Sequence, residues 1–344
     1  MKISALGEFG LIRNIQRLFP RTSPSTLIGI GDDAAALRLS SAAVLLATTD
    51  MLLEGVHFDL SYTDFYSLGW KSAAVNLSDI AAMGGIPRFC LTSLGIHPRI
   101  TVEQIAEFYR GFRALARSHK AVLVGGDTCR SRNGLVISVT VLGETKKAVM
   151  RTRSGARPGD RVFVTGSLGD SAAGLEILKT GGKGQGARVR GREEKKLALK
   201  HLRPIPRVAE GRAIALSGCA SAMIDISDGL SSDLGHVCEQ SRVGAEIHAD
   251  KVPLSRDLRR AAKKLKKTSL EYALSGGEDY ELLFTVPPAQ IKKLPPLKIP
   301  VTEIGMIVRE RGLSLIDGAG KRTLLKPRGY EHFRPINGRA KRRI

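Results

Sequence analysis

Aspartates stand beside glycine or hydroxyl residues in five short segments of this chain, and these segments constrain its fold more than any other feature. Two of the segments follow apolar runs, at 45–47 and 121–124, that are typical of buried strands. Neighbouring glycines let the backbone approach a ligand closely. The segments are Gly-Ile-Gly-Asp-Asp at 29–33, Thr-Thr-Asp at 48–50, Asn-Leu-Ser-Asp at 76–79, Gly-Gly-Asp-Thr at 125–128 and Asp-Ile-Ser-Asp-Gly at 225–229.

Carboxylates at the ends of strands suit a site that holds Mg²⁺ against a polyphosphate. Mg²⁺ takes hard oxygen ligands, usually one or two carboxylates per ion, and completes its coordination with water and phosphate oxygens. The seven aspartates in these segments would serve several ions. The alternative is that each Asp-Gly or Gly-Asp pair is ordinary turn chemistry, which explains any one segment alone. The five segments together favour a shared metal site.

The length of 344 residues suits two domains of ordinary size. The first, residues 1–150, has the pattern of an α/β or α+β unit. Its predicted strands lie at 43–47, 88–96, 121–124 and 135–143, and its predicted helices at 64–83 and 101–119. Residues 153–160 are rich in turn residues and mark the domain boundary. We assign this segment to the second domain, which we count from residue 151.

The second domain, residues 151–333, opens with a predicted strand at 161–165, a glycine turn at 166–170 and a helix at 171–180. The helix N-terminus is a candidate anion cradle, although tight turns use the same residues without a ligand. Helical sequence at 193–217 is interrupted by two prolines, and strands are predicted at 281–286 and 304–308. The Gly-rich basic segment 181–192 is predicted to be a mobile loop, and the basic tail 334–344 to be disordered.

The cysteine pattern and the apolar runs bear on the cellular compartment. The four cysteines lack Cys-x-x-Cys spacing and predict neither a zinc site nor a disulfide framework. No apolar run approaches the ~20 residues of a membrane span. Residues 1–13 lack the apolar core and cleavage site of a signal peptide. We therefore expect a soluble protein of the reducing cytoplasm, without membrane attachment.

The formal net charge is +21, and much of it lies in three stretches, at 179–212, 256–267 and 334–343. Such runs are usually solvated surfaces, and they also steer anionic substrates toward a protein. Nucleic-acid binding stays open as an alternative, because Lys and Arg clusters bind phosphate backbones without sequence selectivity. The stretches contain hardly any aromatic residues for base stacking, so we do not expect nucleic-acid contact to be the main function.

Nine motifs, in order along the chain, resemble those of the thiamine-monophosphate kinase family. With Tyr330 they cover about nine-tenths of the sequence. They are Gly-Glu-Phe at 7–9, Gly-Ile-Gly-Asp-Asp at 29–33, Thr-Thr-Asp-Met at 48–51, Glu-Gly-Val-His-Phe at 54–58, Ala-Val-Asn-Leu-Ser-Asp-Ile-Ala-Ala-Met-Gly at 74–84, Gly-Gly-Asp-Thr at 125–128, Arg-Ser-Gly-Ala-Arg-Pro-Gly-Asp at 153–160, Ile-Asp-Ile-Ser-Asp-Gly-Leu at 224–230 and Leu-Ser-Gly-Gly-Glu-Asp-Tyr-Glu-Leu at 274–282.

The resemblance implies an enzyme that moves the γ-phosphoryl group of ATP onto thiamine monophosphate, with several Mg²⁺ ions, and makes thiamine diphosphate. It also implies the two-domain fold of aminoimidazole-ribonucleotide synthetase: an α/β N-terminal domain that dimerises through a β-barrel, followed by an α+β domain. A homodimer is therefore expected. We assign no general base, because an acceptor phosphate oxygen is already ionised at neutral pH. The chain has no Gly-x-x-x-x-Gly-Lys-Ser/Thr loop, which excludes ordinary P-loop binding of ATP.

Position by position, the resemblance implies three sets of site residues. The expected metal ligands are Asp33, Asp50, Asp79, Asp127 and Asp225, with Asp228 beside them and with Thr48 and Thr49 as additional ligands through a backbone or hydroxyl oxygen. The expected contacts to ATP are Tyr109, Gly126, Arg153 and Ser227. The expected contacts to thiamine monophosphate are His57, Glu278 and Tyr330.

Other ATP-using members of the same superfamily are the nearest alternatives. Selenophosphate synthetase would require a reactive cysteine near a Gly-rich N-terminal segment, and none of the first 89 residues is Cys. Cys129 stands where the thiamine-monophosphate kinase family commonly has a hydroxyl residue, but it is not one of the assigned site residues. The motifs therefore favour the kinase.

Overall fold

The computed structural model describes residues 7–18, 23–180, 191–326 and 329. The site candidate Tyr330, the predicted tail 334–344 and all but the last two residues of the predicted loop 181–192 lie outside this part of the chain. The described strands form two mixed sheets, and the segment 153–160 connects the last strand of the first sheet to the first strand of the second.

The first sheet contains six strands, all between residues 26 and 146. They are β1 (Thr26–Ile28), β2 (Ala35–Arg38), β3 (Ala43–Leu53), β4 (Ile86–Ile96), β5 (Val122–Arg130) and β6 (Val136–Lys146). Their order across the sheet is β1-β2-β3-β6-β4-β5, and only β4 and β5 are parallel neighbours. Buried residues alternate with more exposed ones along β6, as in a sheet with one packed face and one open face.

The described residues of this part of the chain form three helices: α1 (Glu8–Leu18), α2 (Phe65–Ala82) and α3 (Val102–Ser118). The side chain of Asp64 caps α2 by accepting a hydrogen bond from the N–H of Ser67. Thr101 and Gln104 form a reciprocal capping box at the start of α3. The helices predicted at 64–83 and 101–119 are thereby confirmed to within one residue at each end.

The second sheet contains seven strands. They are β7 (Arg161–Thr165), β8 (Ala222–Asp225), β9 (Gly244–His248), β10 (Leu282–Val286), β11 (Val301–Val308), β12 (Gly312–Ile316) and β13 (Arg322–Leu325), in the order β13-β12-β9-β11-β7-β10-β8. The surrounding helices are α4 (Asp170–Thr180), α5 (Arg192–Leu202), α6 (Val208–Ser217), α7 (Leu230–Ser241), α8 (Arg256–Lys264) and α9 (Ser269–Ser275). The two prolines fall between α5 and α6, as predicted.

Helix α2 lies between the two sheets and is buried along most of its length. One hydrophobic core combines Leu77 of this helix with Val139 of the first sheet and Phe284 of the second. A second core covers the other face of the second sheet, where Leu234 of α7 packs with Val164. Polar residues of α2 are therefore held in a fixed position relative to both sheets.

Two of the aspartates that are expected at the ends of strands lie elsewhere. Asp50 and Asp127 lie within β3 and β5, and Asp79 lies on α2. Strand β3 continues because every residue from Ala43 to Leu53 pairs with β6. Only Asp225 ends a strand, β8.

Among the described residues, no helix combines the length and the apolar character needed to cross a bilayer.

Helices α2 and α3 cross at van der Waals distance because each presents a glycine to the other. A Cβ on Gly69 would lie 1.8 Å from the carbonyl oxygen of Phe108, and a Cβ on Gly111 would lie 1.8 Å from that of Tyr66. Backbone atoms cannot move aside as a flexible side chain can. Both positions therefore require glycine.

We predict that Gly111→Ala destabilises the protein by about 1–3 kcal/mol, the usual range for overpacking, because α3 must move away from α2. Thermal denaturation checks this. Gly318→Ala is the matched control, since a Cβ at this turn position meets nothing within 4 Å. Equal melting temperatures for the two variants would contradict the prediction.

Candidate active site

Three carboxylates from distant parts of the sequence meet at one place. Asp33 follows β1, Asp79 lies on α2 and Asp225 ends β8, yet each offers an oxygen within 4.8 Å of the others. Asp50 lies close enough to raise the pKa of Asp79 by its charge. Four of the five predicted principal metal ligands are thus brought together.

Hydroxyl and amide groups hold these carboxylates in position. Thr48 donates a short hydrogen bond from its hydroxyl to Oδ2 of Asp79. Ser78 donates to Oδ2 of Asp225 at 2.6 Å, and the amide oxygen of Asn76 accepts the N–H of Asp50 at 3.1 Å. The Asn-Leu-Ser-Asp segment of α2 therefore fixes the carboxylate of Asp225 and the backbone of Asp50, besides supplying the carboxylate of Asp79.

Arg153 engages only one oxygen of Asp33. Its Nε and Nη2 atoms lie 3.0 and 2.5 Å from Oδ1. Oδ2 of the same carboxylate is buried and has no hydrogen-bond partner within the described part of the chain. A buried, unpartnered carboxylate oxygen is costly unless a ligand uses it.

Burial raises the pKa values of the converging aspartates. It raises the pKa of Asp79 well above the usual range, and the charges of Asp50, Asp225 and Asp33 raise it further. Burial, followed by the charge of Asp33, raises the pKa of Asp225 to about 7. Burial raises that of Asp50 to about 6. The site therefore favours a bound positive charge.

Mg²⁺ fits this donor set. The converging groups are all carboxylates, which are the hard oxygen ligands that the ion prefers. Asp33, one of them, also has a buried oxygen, Oδ2, without a hydrogen-bond partner in the described part of the chain. The two threonines expected as additional ligands use their hydroxyls elsewhere: Thr48 donates to Asp79, and Thr49 donates to the carbonyl oxygen of Val139 at 3.1 Å.

Asp228 belongs to a neighbouring cluster. It lies with Asp233 and His236, and their ligand atoms are within 4.8 Å of one another. Asp233 accepts the N–H groups of Asp228 and Gly229 at 3.1 and 3.0 Å at the start of α7. His236 packs against the ring of Phe9, with 4.4 Å between the ring centres. Sequence reasoning assigned Asp228 but neither of its partners.

Asp127 is not brought to the other aspartates. Asp50 pairs with Val139 of β6, Val139 pairs with Thr92 of β4, and Thr92 pairs with Gly126 of β5. Three strand spacings of about 4.8 Å therefore separate the backbone of Asp50 from that of Gly126, the neighbour of Asp127, by about 14 Å. Asp127 pairs with Ser93, which is exposed, whereas the neighbouring Thr92 is buried. Asp127 therefore lies on the open face of the first sheet, opposite to the face that carries Asp50.

The expected ATP contacts form two groups. In the first, Tyr109 shares a hydrogen bond of 2.9 Å with the hydroxyl of Thr92, which pairs with Gly126. A Cβ on Gly126 would lie 1.8 Å from the carbonyl oxygen of Thr92, so this position requires glycine. In the second, Arg153 binds Asp33, and Ser227 accepts the N–H of Glu278 at 2.7 Å.

The two described acceptor candidates are held by internal contacts. His57 accepts the N–H of Leu53 at its Nδ1 atom, at 3.0 Å. Glu278 forms ion pairs with Lys71 at 2.6 Å and with His201 at 3.0 Å. Burial raises the pKa of Glu278, but the charge of Lys71 and the contact with His201 outweigh it and hold this pKa below its usual range. Sequence reasoning found neither Lys71 nor His201.

The predicted anion cradle at the start of α4 is filled by the protein itself. Asp279 accepts the N–H of Gly169 at 2.7 Å and that of Ser171 at 3.3 Å. The prediction that this helix N-terminus binds an external anion is therefore wrong in this structure, because the carboxylate of Asp279 already accepts its N–H groups.

The basic stretch 256–267 is partly neutralised by ion pairs. Arg260, Lys264 and Lys267 each contact a glutamate of α4 or α5, and Lys196 of α5 contacts Asp257. These pairs support the interpretation of the stretch as a solvated surface.

The sequence matches two families over most of its length. Residues 31–145 match AIR synthase related protein, N-terminal domain, and residues 157–318 match AIR synthase related protein, C-terminal domain. The predicted two-domain fold of this superfamily is thereby confirmed.

Two relatives match the chain from end to end. It is 40% identical over 337 residues to thiamine-monophosphate kinase of Bacillus subtilis (strain 168), which covers 96% of this chain and 100% of that one. It is 40% identical over 338 residues to thiamine-monophosphate kinase of Aquifex aeolicus (strain VF5), which covers 97% and 100%. A solved structure of AaThiL complexed with AMPPCP and TMP superimposes with a TM-score of 0.85, at 39% identity, over 96% of this chain and 99% of that one.

We predict that the metal-free protein loses stability as the pH rises from about 4 to about 8, because the folded pKa values of Asp50 and Asp225, about 6 and about 7, lie above the unfolded value. A raised carboxyl pKa contributes stability at low pH that is lost as the folded group ionises. Mg²⁺ at pH 8 should restore about 2.7 kcal/mol when present at a hundred times its dissociation constant. Thermal denaturation with Mg²⁺ or a chelator measures both effects.

Asp225→Asn should reduce both effects, whereas the exposed control Asp250→Asn should leave both unchanged. An Asp225→Asn protein that responds to Mg²⁺ as the unsubstituted protein does would contradict the assignment.

Proposed function

Because the chain belongs to the thiamine-monophosphate kinase family, we propose that it transfers the γ-phosphoryl group of ATP to the phosphate of thiamine monophosphate, which yields thiamine diphosphate. The observation that carries this proposal is the convergence of the carboxylates of Asp33, Asp79 and Asp225, of which Asp33 has a buried oxygen without a hydrogen-bond partner among the described residues. AMPPCP, the ligand of the AaThiL complex, is an ATP analogue, and it is held there together with TMP. That pair matches a phosphoryl donor and its acceptor.

The converging aspartates are the residues that we propose hold Mg²⁺. Asp33, Asp79 and Asp225 form the centre, Asp50 lies beside them, and Asp228 belongs to the adjoining cluster. When bound, the ions neutralise the charge on the two phosphate groups that must approach each other. The role of Asp127 as a ligand rests on the family resemblance alone.

The protein's own groups supply alignment. Thr48 and Ser78 orient the carboxylates of Asp79 and Asp225 by hydrogen bonds, and Arg153 balances the charge of Asp33. Tyr109 and Gly126 border the nucleotide. No side chain needs to remove a proton, because the attacking phosphate oxygen is ionised at neutral pH.

His57 and Glu278 are the described residues that we propose contact the acceptor. Because Nδ1 of His57 accepts the N–H of Leu53, the proton of its neutral ring lies on Nε2, which is the donor that a phosphate requires. The carboxylate of Glu278 suits the cationic thiazolium ring. Its side chain is 25% exposed, so it presents an open side despite its internal ion pairs.

A homodimer formed through the first sheet is part of the proposal. Strand β5 is an edge strand, and all its residues are exposed, including Val122 and Val124 at 55% and 56%. An exposed apolar edge with unpaired backbone groups invites association with another chain. Met51 and Phe89 extend the apolar surface. Two such sheets that meet along these surfaces would form the β-barrel that the resemblance implies.

We also propose a cytoplasmic location and a domain boundary near residue 151. All four cysteines are free thiols, which suits a reducing compartment. The first family match ends at 145 and the second begins at 157, on either side of the proposed boundary. Nucleic-acid binding is not part of the proposed function.

We predict a mass in solution of twice the 37.1 kDa of one chain, measured by light scattering after size-exclusion chromatography. Val122→Lys combined with Val124→Lys should give monomers, because two charges would be buried in the interface. Leu324→Lys, on the exposed edge strand β13 of the second sheet, is the control and should stay dimeric. A double variant that remains dimeric would place the interface elsewhere.

The central experiment is incubation with ATP, Mg²⁺ and thiamine monophosphate, followed by chromatography for thiamine diphosphate. We predict formation of the product, and on the order of a hundredfold lower turnover in Asp50→Asn, because the charge that balances the cations is lost. Asp250→Asn should retain full turnover. Absence of product would refute the proposed function, and normal turnover of Asp50→Asn would remove that residue from the metal site.

A further inference from the structure

A buried lysine lies at the acceptor end of the site and has no role in the chemistry described above. Lys71 belongs to α2 and is 1% exposed. Its Nζ atom lies 2.6 Å from Oε1 of Glu278. His201 of α5, which is 2% exposed, contacts the other carboxylate oxygen at 3.0 Å. Both oxygens of Glu278 are therefore held by residues from outside its own loop.

The three side chains form a closed hydrogen-bond network. Lys71 lies 2.6 Å from Glu278 and 3.4 Å from Nε2 of His201. An ammonium group can only donate, so Nε2 accepts and the proton of the neutral ring lies on Nδ1. Nδ1 then donates to Oε2 of Glu278, and Ser171 lies 3.2 Å from the same nitrogen. Burial, and then the charge of Lys71, lowers the pKa of His201, which agrees with a neutral ring.

The backbone of Glu278 is constrained as firmly as its side chain. Its φ is +66°, and that of Tyr280 is +51°. Left-handed conformations at residues other than glycine cost about 1–3 kcal/mol and persist where the surroundings enforce them. Here Glu278 donates its N–H to Ser227 at 2.7 Å, and Tyr280 donates its N–H to Ile226 at 2.9 Å.

The charged carboxylate faces the site side of this network. Its charge raises the pKa values of Tyr62, Asp228 and Tyr280, in each case after burial, which is the largest cause. The charges of Asp50, Asp225 and Asp79 also raise the pKa of Tyr280, so Glu278 and these aspartates all lie near the same phenol. Lys71, which contacts Oε1 of the same carboxylate, is itself buried.

We propose that Lys71 and His201 are positioning residues that keep Glu278 ionised and in one orientation, so that its carboxylate binds the cationic ring of the acceptor. The proposal rests on the proposed function of the site. Without the ammonium group, the pKa of this part-buried carboxyl would rise, and its attraction for a cation would weaken as it takes up a proton. Since Lys71 and Asp79 are both on α2, eight residues or about 12 Å apart, one rigid helix also sets the spacing between the acceptor end and the aspartates.

The test compares Lys71→Met, Glu278→Gln and the double variant, with the exposed Lys263→Met as control. We expect Lys71→Met and Glu278→Gln each to raise KM for thiamine monophosphate about tenfold or more, with kcat and KM for ATP nearly unchanged. The double variant should bind the acceptor no more weakly than Glu278→Gln, because Lys71 acts through that carboxylate. If the increase in KM for thiamine monophosphate in the double variant equalled the product of the increases in the two single variants, the proposal would be overturned.

The pH profile separates positioning from a purely structural role. In Lys71→Met the pKa of Glu278 should rise, because burial is no longer opposed by the ammonium charge. The ratio of its KM for thiamine monophosphate to that of the unsubstituted protein should therefore grow as the pH falls from about 9 to about 6. Titration of the substrate phosphate cancels in this ratio. A ratio that is independent of pH would overturn the proposal.

A second substitution keeps the test decisive if Lys71→Met does not fold. His201→Phe removes the donor to Oε2 of Glu278 and should raise KM for thiamine monophosphate by about threefold or more, whereas His201→Gln, which retains a donor, should recover part of the loss. Unchanged acceptor KM in both His201 variants would overturn the proposal. If the unsubstituted protein makes no thiamine diphosphate, the proposed function fails; if it does and only these effects are absent, the inference alone fails.

Discussion

Mutual repulsion among buried carboxylates is the constraint on which the rest of this structure depends. Asp33, Asp79 and Asp225 would separate if they were free to move, because each carries the same charge in a poorly solvated place. They stay together because Asp79 and Asp225 belong to two different, well-packed elements, α2 and β8, and because Arg153 holds Asp33 in the connection between β1 and β2. The helix between the two sheets is central, since it supplies Asp79 and also the hydroxyl that holds Asp225. The extensive cores on both sides of the second sheet supply the stability that such a cluster removes.

Much of the fold could be predicted from the sequence, because the relevant signals are local. Helices α2 and α3 carry apolar residues at helical spacing and caps that act on their own first turns. The strand β7 and the break at the two prolines follow equally from short-range patterns. Strands β1, β2, β8, β9, β12 and β13 are not predicted from the sequence. Of these, β1, β2, β8 and β13 have only three or four residues each, so pairing with neighbours decides them more than their own sequence does.

The site was predictable in its residue types and less so in its connections. The aspartates were found because glycine and hydroxyl neighbours mark them, and family motifs sharpened the assignment. The partners of Glu278 were not found, since a single Lys in an apolar helix and a His after a basic loop carry no local signal. Their proximity arises only when α2 and α5 pack near the loop that carries Glu278. The placement of Asp127 depends likewise on strand order, which a single sequence does not reveal.

The carboxylate of Asp279 at the start of α4 has a consequence for selectivity. A helix N-terminus binds phosphate groups, and a chain with a formal charge of +21 attracts polyphosphates. An open N-terminus on α4 would offer ATP a second phosphate site at which it could bind without reacting. A tethered carboxylate has an effective concentration in the millimolar range or above, so dissolved nucleotide competes poorly with it. The protein thereby removes a competing anion site from its own surface.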